Sequence, residues 1–217
     1  MAEPGRLRWL KPSSAGKTPS REGEAGARID WIETLRAKRN QPLDAGHLRF
    51  RREEGDAGAL HCFLLDCSGS MMSRKRLALA KGMVVALFNR AYRERAEVAL
   101  ICFGGTTAQV RREPGAAHWW NDHWLAPIGG GGGTPLALGV RTAANVMSKA
   151  ARKKPSQRRL LWLLTDGRSP ETPLRPADAD QIVIIDFENE AVPLGRCSTL
   201  AASWQADYLR AADMTSA

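Results

Sequence analysis

The chain has 217 residues, 43% of them hydrophobic, and a formal net charge of +9. That composition fits one globular α/β domain with a tail. No apolar run approaches the ~20 residues of a bilayer span, which excludes a transmembrane helix. The first ten residues, Met1 to Leu10, lack a secretory apolar core, so a cytoplasmic protein is expected. The positive charge permits nucleic acid or acidic protein partners without demanding either.

Residues 1–57 read as a basic, largely disordered extension, rich at first in Pro, Gly, Ser and charge. Gly16-Lys17-Thr18 is the tail of a phosphate-loop pattern, but its first glycine position holds Lys11 and no helix start follows. ATP binding is not expected there. Ile29 to Leu35 can form a short helix with Trp31, Ile32 and Leu35 on one face. His47 reads as a surface residue.

The globular domain is expected from residue 58. His61 to Leu65 is an apolar run that stops at Asp66-Cys67-Ser68-Gly69-Ser70. This reads as a buried strand ending in a tight loop. The loop carries one carboxylate and two hydroxyls, the donor set of a small hard cation such as Mg2+. A helix is expected from about Ser73 to Arg93, with Leu77, Ala80, Val84, Leu87, Phe88 and Ala91 on one stripe. Glu97 to Phe103 is a second strand, and Ala108 to Arg112 an antiparallel edge strand.

His118 to Trp124 holds two histidines and three tryptophans. It is expected as an amphipathic helix that packs Trp120 and Trp124 on the sheet, with His118 and His123 solvated. Gly129 to Gly133 are five glycines in a row, followed by Thr134 and Pro135. Pro135 suits the first turn of a helix over about 135–152 that buries Leu138, Val140, Ala144 and Met147 or a similar set. Leu160 to Leu164 is another buried strand and ends in Thr165-Asp166-Gly167. A proline-rich loop, the strand Gln181 to Asp186, a helix over about 194–204 and a strand Asp207 to Arg210 complete the chain.

Strands alternating with helices imply a Rossmann-like doubly wound α/β fold. The sheet is mostly parallel, with one antiparallel edge strand and helices on both faces. In the strand order 3-2-1-4-5-6 the first and fourth parallel strands are neighbours, and their loops part at the carboxyl ends. Asp66 and Asp166 then flank one crevice. The four cysteines show no zinc spacing; Cys62 and Cys102 read as small, reduced, buried thiols, and Cys67 is not expected to be a ligand.

Asp66-x-Ser68-x-Ser70, the distant Thr134 and the distant Thr165-Asp166-Gly167 resemble the metal-ion-dependent adhesion site of von Willebrand factor A (integrin I-like) domains. The resemblance implies that Asp66, Ser68, Ser70, Thr134 and Asp166 hold Mg2+ or Mn2+ in residues 58–217. An acidic side chain of a partner would complete the metal shell. No residue of the matched motifs is placed as a general base, so docking fits better than hydrolysis.

Phe63 to Met71, Ala80-Lys81-Gly82, Val98 to Gly104, Gly131 to Leu136 and Leu163 to Arg168 look like the C-terminal domain of the magnesium chelatase D subunit. Ile29 to Arg36 and Asp44 to Phe50 resemble the segment before it. The resemblance implies a non-catalytic subunit of an ATP-dependent chelatase that inserts Mg2+ or Co2+ into a tetrapyrrole. Its partners would be an AAA+ ATPase subunit and a large tetrapyrrole-binding subunit. The family's N-terminal AAA+-like domain and acidic linker have no counterpart in residues 1–57, so a separate chain is expected to supply the ATP chemistry.

Two alternatives stand beside this reading. One is a generic adapter for a MoxR-type AAA+ ATPase. The other is a nucleic-acid module built on the basic run Lys149, Arg152, Lys153, Lys154, Arg158 and Arg159. That run spans a helix end, where cations are welcome in any case, and lacks aromatic stacking platforms.

Overall fold

The structure is a computed structural model and describes residues 28–29, 44–47, 50–51, 58–72, 76–117 and 132–214. The sequence features at Lys11 to Thr18, Trp31 to Leu35, Ser73, His118 to Trp124 and Gly129 to Gly131 lie outside the described residues. The chain divides into two units, residues 1–57 and 58–217.

In the first unit, Arg28–Ile29 pairs antiparallel with Phe50–Arg51. Ile29, expected at the start of a helix, is therefore in a strand. Ala45–His47 forms one turn of 3-10 helix. His47 is half-buried rather than fully exposed, and its Nδ1 accepts from Asp44 N at 3.2 Å.

The second unit is built on a six-stranded sheet. Its strands are β1 (Ala59–Asp66), β2 (Glu97–Gly104), β3 (Thr107–Ala116), β4 (Arg158–Thr165), β5 (Gln181–Asp186) and β6 (Asp207–Arg210). Their order is β3-β2-β1-β4-β5-β6, and β3 alone runs antiparallel to its neighbour. The helices are α1 (Gly69–Met72), α2 (Arg76–Arg93), α3 (Leu136–Lys153), α4 (Arg196–Trp204) and α5 (Ala211–Met214). β1, β2, β4 and β5 are largely apolar on both sides because both faces are covered, whereas β6 alternates half-buried and exposed residues.

Leu60, Cys62 and Leu64 of β1 pack with α3 and α4, while Phe63 and Leu65 pack with α2. The buried stripe of α2 is Leu77, Ala80, Val84, Leu87, Phe88 and Ala91, as the spacing predicts, with Arg76 added. On α3 the buried set is Leu136, Gly139, Val140, Ala143, Val146, Met147 and Ala150. Leu138 and Ala144 are only half-buried. The helix is turned toward Gly139, where an added Cβ would meet the Phe103 ring at 2.9 Å. That close contact fixes the rotation.

Two expected results arise here. Gly82 lies exposed in the middle of α2, and a Cβ there meets nothing within 4 Å. Gly82→Ala therefore raises unfolding free energy by about 0.5–1 kcal/mol, measured as a higher urea midpoint.

His61 is 7% exposed and accepts a 3.1 Å hydrogen bond from Trp162 Nε1 at its Nδ1. Burial lowers its pKa; Glu94 opposes this, and Arg90 and Arg158 reinforce it. The unfolded chain takes up the proton at about pH 6.5, and the folded chain resists it. Stability from this group is thus full above that pH and falls as the pH drops toward the lower folded value. His61→Gln keeps an acceptor for Trp162 without titrating. The urea midpoint of wild type should drop more than that of the variant between about pH 7.5 and pH 5.5.

Candidate metal centre

The site begins where β1 stops. The ladder runs one residue past the strand, with Cys67 N donating to Phe103 O at 2.7 Å. Gly104 makes the next approach. A Cβ there would lie 2.9 Å from the carbonyl carbon and oxygen of Cys67. Without a side chain, the end of β2 rests against the loop backbone. Asp66 Oδ1 accepts from Ser68 N at 2.8 Å, closing an Asx turn. The Ser68 carbonyl then accepts from the backbone N–H groups of Met71 and Met72, which starts α1.

These constraints bring Ser68 Oγ and Ser70 Oγ to 3.1 Å from each other. Ser68 is 1% exposed and Ser70 half-buried. Cys67 turns the other way, into the α2 side of the core, and is not among the donors.

The Asp66 side chain is buried. Its Oδ2 accepts a 2.6 Å hydrogen bond from Thr165 Oγ1, which stands opposite it on β4. Burial pushes its pKa up to about 6; the hydrogen bonds from Ser68 and Thr165 pull it down, and the charge of Asp166 pushes it up. Among the described residues no basic side chain forms an ion pair with Asp66.

Asp166 has a different setting. Its side chain is fully buried, and its Oδ2 lies 3.1 Å from Arg76 Nη1. Its Oδ1 accepts from Arg168 N at 3.3 Å. Arg76 is 4% exposed and also holds Glu190 Oε1 at 2.6 Å and Asn189 Oδ1. Glu190 is shared with Arg168 at 2.7 Å. Removing one partner of a buried ion pair such as Arg76–Asp166 costs about 3–5 kcal/mol.

Thr134 comes in from the third loop. A Cβ on Gly133 would meet Gly105 O at 2.9 Å, so residues 133–134 lie against the turn that follows β2. From the other side, Glu171 Oε2 accepts from Ala137 N at 2.6 Å and ties the start of α3 to the loop after β4. Gly69, Gly132 and Gly133 are exposed, which leaves the rim open to solvent.

The donor set can be tested against a cation. Neighbouring ligands in an octahedron with bonds of ~2.1 Å lie about 3 Å apart. The two serine hydroxyls meet that spacing at 3.1 Å. They sit beside a buried carboxylate that lacks a cationic partner among the described residues. All donors are oxygen, which suits Mg2+ or Mn2+. Asp66, Ser68 and Ser70 form one cluster, with Asp166 just past the end of the adjacent strand β4 and Thr134 in the loop before α3.

Several residues of the site were not picked out from the sequence. Arg76 carried a signal, since a charge occupied the apolar stripe of α2 one turn before Ala80. Asp186 ends an apolar strand in the same way as Asp66, yet it is satisfied by Tyr208 Oη at 2.7 Å and Glu188 N at 2.8 Å. Asn189, Glu190 and Glu171 lie in loops, where no periodicity marks them. The basic run lies at the opposite end of the sheet, where Lys154 pairs with Glu97 and Arg159 with Asp180.

Residues 62–168 match the model of the von Willebrand factor type A domain. The magnesium-chelatase 60 kDa subunit of Rhodobacter capsulatus is 38% identical over 170 residues, or 69% of this chain and 29% of that subunit. The 60 kDa subunit of Cereibacter sphaeroides is 37% identical over 168 residues, again 69% of this chain and 29% of that one. The chain thus spans less than a third of either subunit's length. Among solved structures, the ArnB paralog VWA2 from Sulfolobus acidocaldarius superposes with a TM-score of 0.54 at 15% identity, over 73% of this chain and 43% of that one. That likeness concerns the fold alone. Sequence match, strand order and structural likeness agree: the folded unit of this chain is a von Willebrand factor type A domain, similar in sequence to part of the magnesium-chelatase 60 kDa subunits.

Proposed function

We propose that this chain is a non-catalytic subunit of an ATP-dependent chelatase that inserts Mg2+ or Co2+ into a tetrapyrrole. It docks a AAA+ ATPase partner through a divalent cation held by Asp66, Ser68, Ser70, Thr134 and Asp166. The observation that carries the docking mechanism is the pair of serine hydroxyls 3.1 Å apart beside the buried Asp66 carboxylate, at an open rim. Asp66 offsets one charge of Mg2+, Asp166 shares its charge with Arg76, and the hydroxyls add neutral dipoles. A coordination position left open on the solvent side suits a partner's carboxylate. The similarity to magnesium-chelatase subunits supports the choice of partners.

The nearby Glu190 is held by two arginines, so it is poorly placed to act as a base. In this reading the bound ion is adhesive and is not the ion being inserted. ATP hydrolysis and insertion belong to partner chains, and the ATPase and a large tetrapyrrole-binding subunit are the expected companions.

The test is recovery of partners from native lysate on immobilised protein, in Mg2+ or in EDTA. A AAA+ ATPase and a large chelatase subunit, both lost in EDTA and both lost with Asp66→Ala bait, are expected. An ATPase alone would move the reading to a generic adapter of the MoxR type. Recovery unchanged by EDTA would contradict cation-dependent docking.

A further inference from the structure

We infer that Arg76 is a resident counter-cation of the site, which competes with the divalent ion for Asp166 and so sets how tightly the site takes that ion. This rests on the metal-site reading above and adds a residue to it. The two aspartates at the carboxyl ends of β1 and β4 are not equivalent. Asp66 has hydrogen-bond donors but no ion pair among the described residues, whereas Asp166 has the guanidinium of Arg76 at 3.1 Å.

Arg76 is held where it is. It is the first residue of α2, is 4% exposed, and uses its other nitrogens on Asn189 and Glu190. A guanidinium held on three sides in this way does not swing out to solvent. Arg168 does not replace it, since its side chain is 40% exposed, lies 3.8 Å from Asp166 and reaches Glu190 more closely.

A divalent ion entering between Asp66, Ser68 and Ser70 therefore meets one uncompensated carboxylate and one that is already neutralised. The positive charge of Arg76 also acts on the ion directly, through a buried setting where screening is weak. Both effects weaken binding. The result is a site of moderate affinity, in which a partner's carboxylate matters to the completed shell. The same guanidinium anchors the loop after β5, so a simple loss of that anchor has to be separated from a loss of charge.

The experiment measures Mg2+ binding by isothermal titration calorimetry, and the rise in melting temperature on adding Mg2+, for wild type and variants. Arg76→Met removes the charge. Arg76→Gln removes it while keeping a donor for Asn189 or Glu190, and carries the test if the first variant folds poorly. Each should bind Mg2+ at least about tenfold more tightly than wild type. Arg76→Lys keeps the charge and should stay near wild type. In an Asp166→Asn background, Arg76→Gln should give a smaller gain, because only the direct action of the charge on the ion remains to be removed.

A purely structural role would lower the melting temperature with and without Mg2+ and leave affinity unchanged. If wild type binds Mg2+ and the neutral variants bind it equally or more weakly, the inference is overturned and the metal site stands. If no form of the protein binds Mg2+ or Mn2+, the metal-site reading fails and takes the inference with it.

Discussion

Asp66→Asn removes the protein's response to Mg2+ and leaves the fold in place. Wild type at a hundredfold excess of ion over Kd gains about 2.7 kcal/mol by mass action. For a chain of this length that is a rise in melting temperature of roughly 5–10 °C. The variant should show none of it. Asparagine has the shape of aspartate and keeps an acceptor for Ser68 N or Thr165 Oγ1, so the turn that closes the loop survives. It also removes a buried carboxylate whose pKa is pushed up to about 6 because burial penalises its charge. The ion-free variant should therefore be at least as stable as ion-free wild type. Asp66→Ala removes the ion response as well, but at a cost of about 1–3 kcal/mol for each donor left unsatisfied. A variant that still gains stability with Mg2+ as wild type does would mean that the ion binds elsewhere.

Gly104→Ala has the second large effect, for a steric reason. The added Cβ would lie 2.9 Å from backbone atoms of Cys67 and 3.1 Å from Ser68 N. Neither neighbour is the flexible end of a side chain, so the end of β2 or the loop itself must move. Such overpacking costs about 1–3 kcal/mol. The displaced segment carries the two serine hydroxyls, so the Mg2+ response should fall together with stability. Gly69→Ala is the control, since a Cβ at that exposed position meets nothing within 4 Å. Its urea midpoint and its Mg2+ response should both match wild type or better it. Equal behaviour of the two variants would show that close approach at Gly104 does not position the loop.

Much of this architecture could be read in the sequence because one signal repeats. Buried parallel strands are apolar throughout, and three of them stop at an aspartate: Asp66, Asp166 and Asp186. The runs fixed the strands, and the helical stripe of α2 fixed the face it buries. Once β1 and β4 were neighbours, their aspartates had to share one end of the sheet. The sequence offers less where partners lie far apart along the chain. Arg76 meets Asp166 across 90 residues and Asn189 across 113. Neither pairing has a local pattern, and only the charge on the stripe of α2 pointed toward a buried partner. The rotation of α3 was also out of reach, because it is set by the Phe103 ring against Gly139, a contact between elements. Asp186 shows the limit of the strand-end signal. It satisfies the same cue as Asp66 but spends its oxygens on Tyr208 and Glu188.

The central claim is that the oxygens at the carboxyl ends of β1 and β4, with those of the Thr134 loop, hold one divalent cation. The most direct measurement is a crystal structure of the full chain grown in Mn2+, with an anomalous difference map. A single strong peak is expected within bonding distance of Ser68 Oγ and Ser70 Oγ, next to the Asp66 carboxylate, and it should disappear in Asp66→Asn. A well-ordered loop with no peak there, or a peak only at another place on the surface, would contradict it.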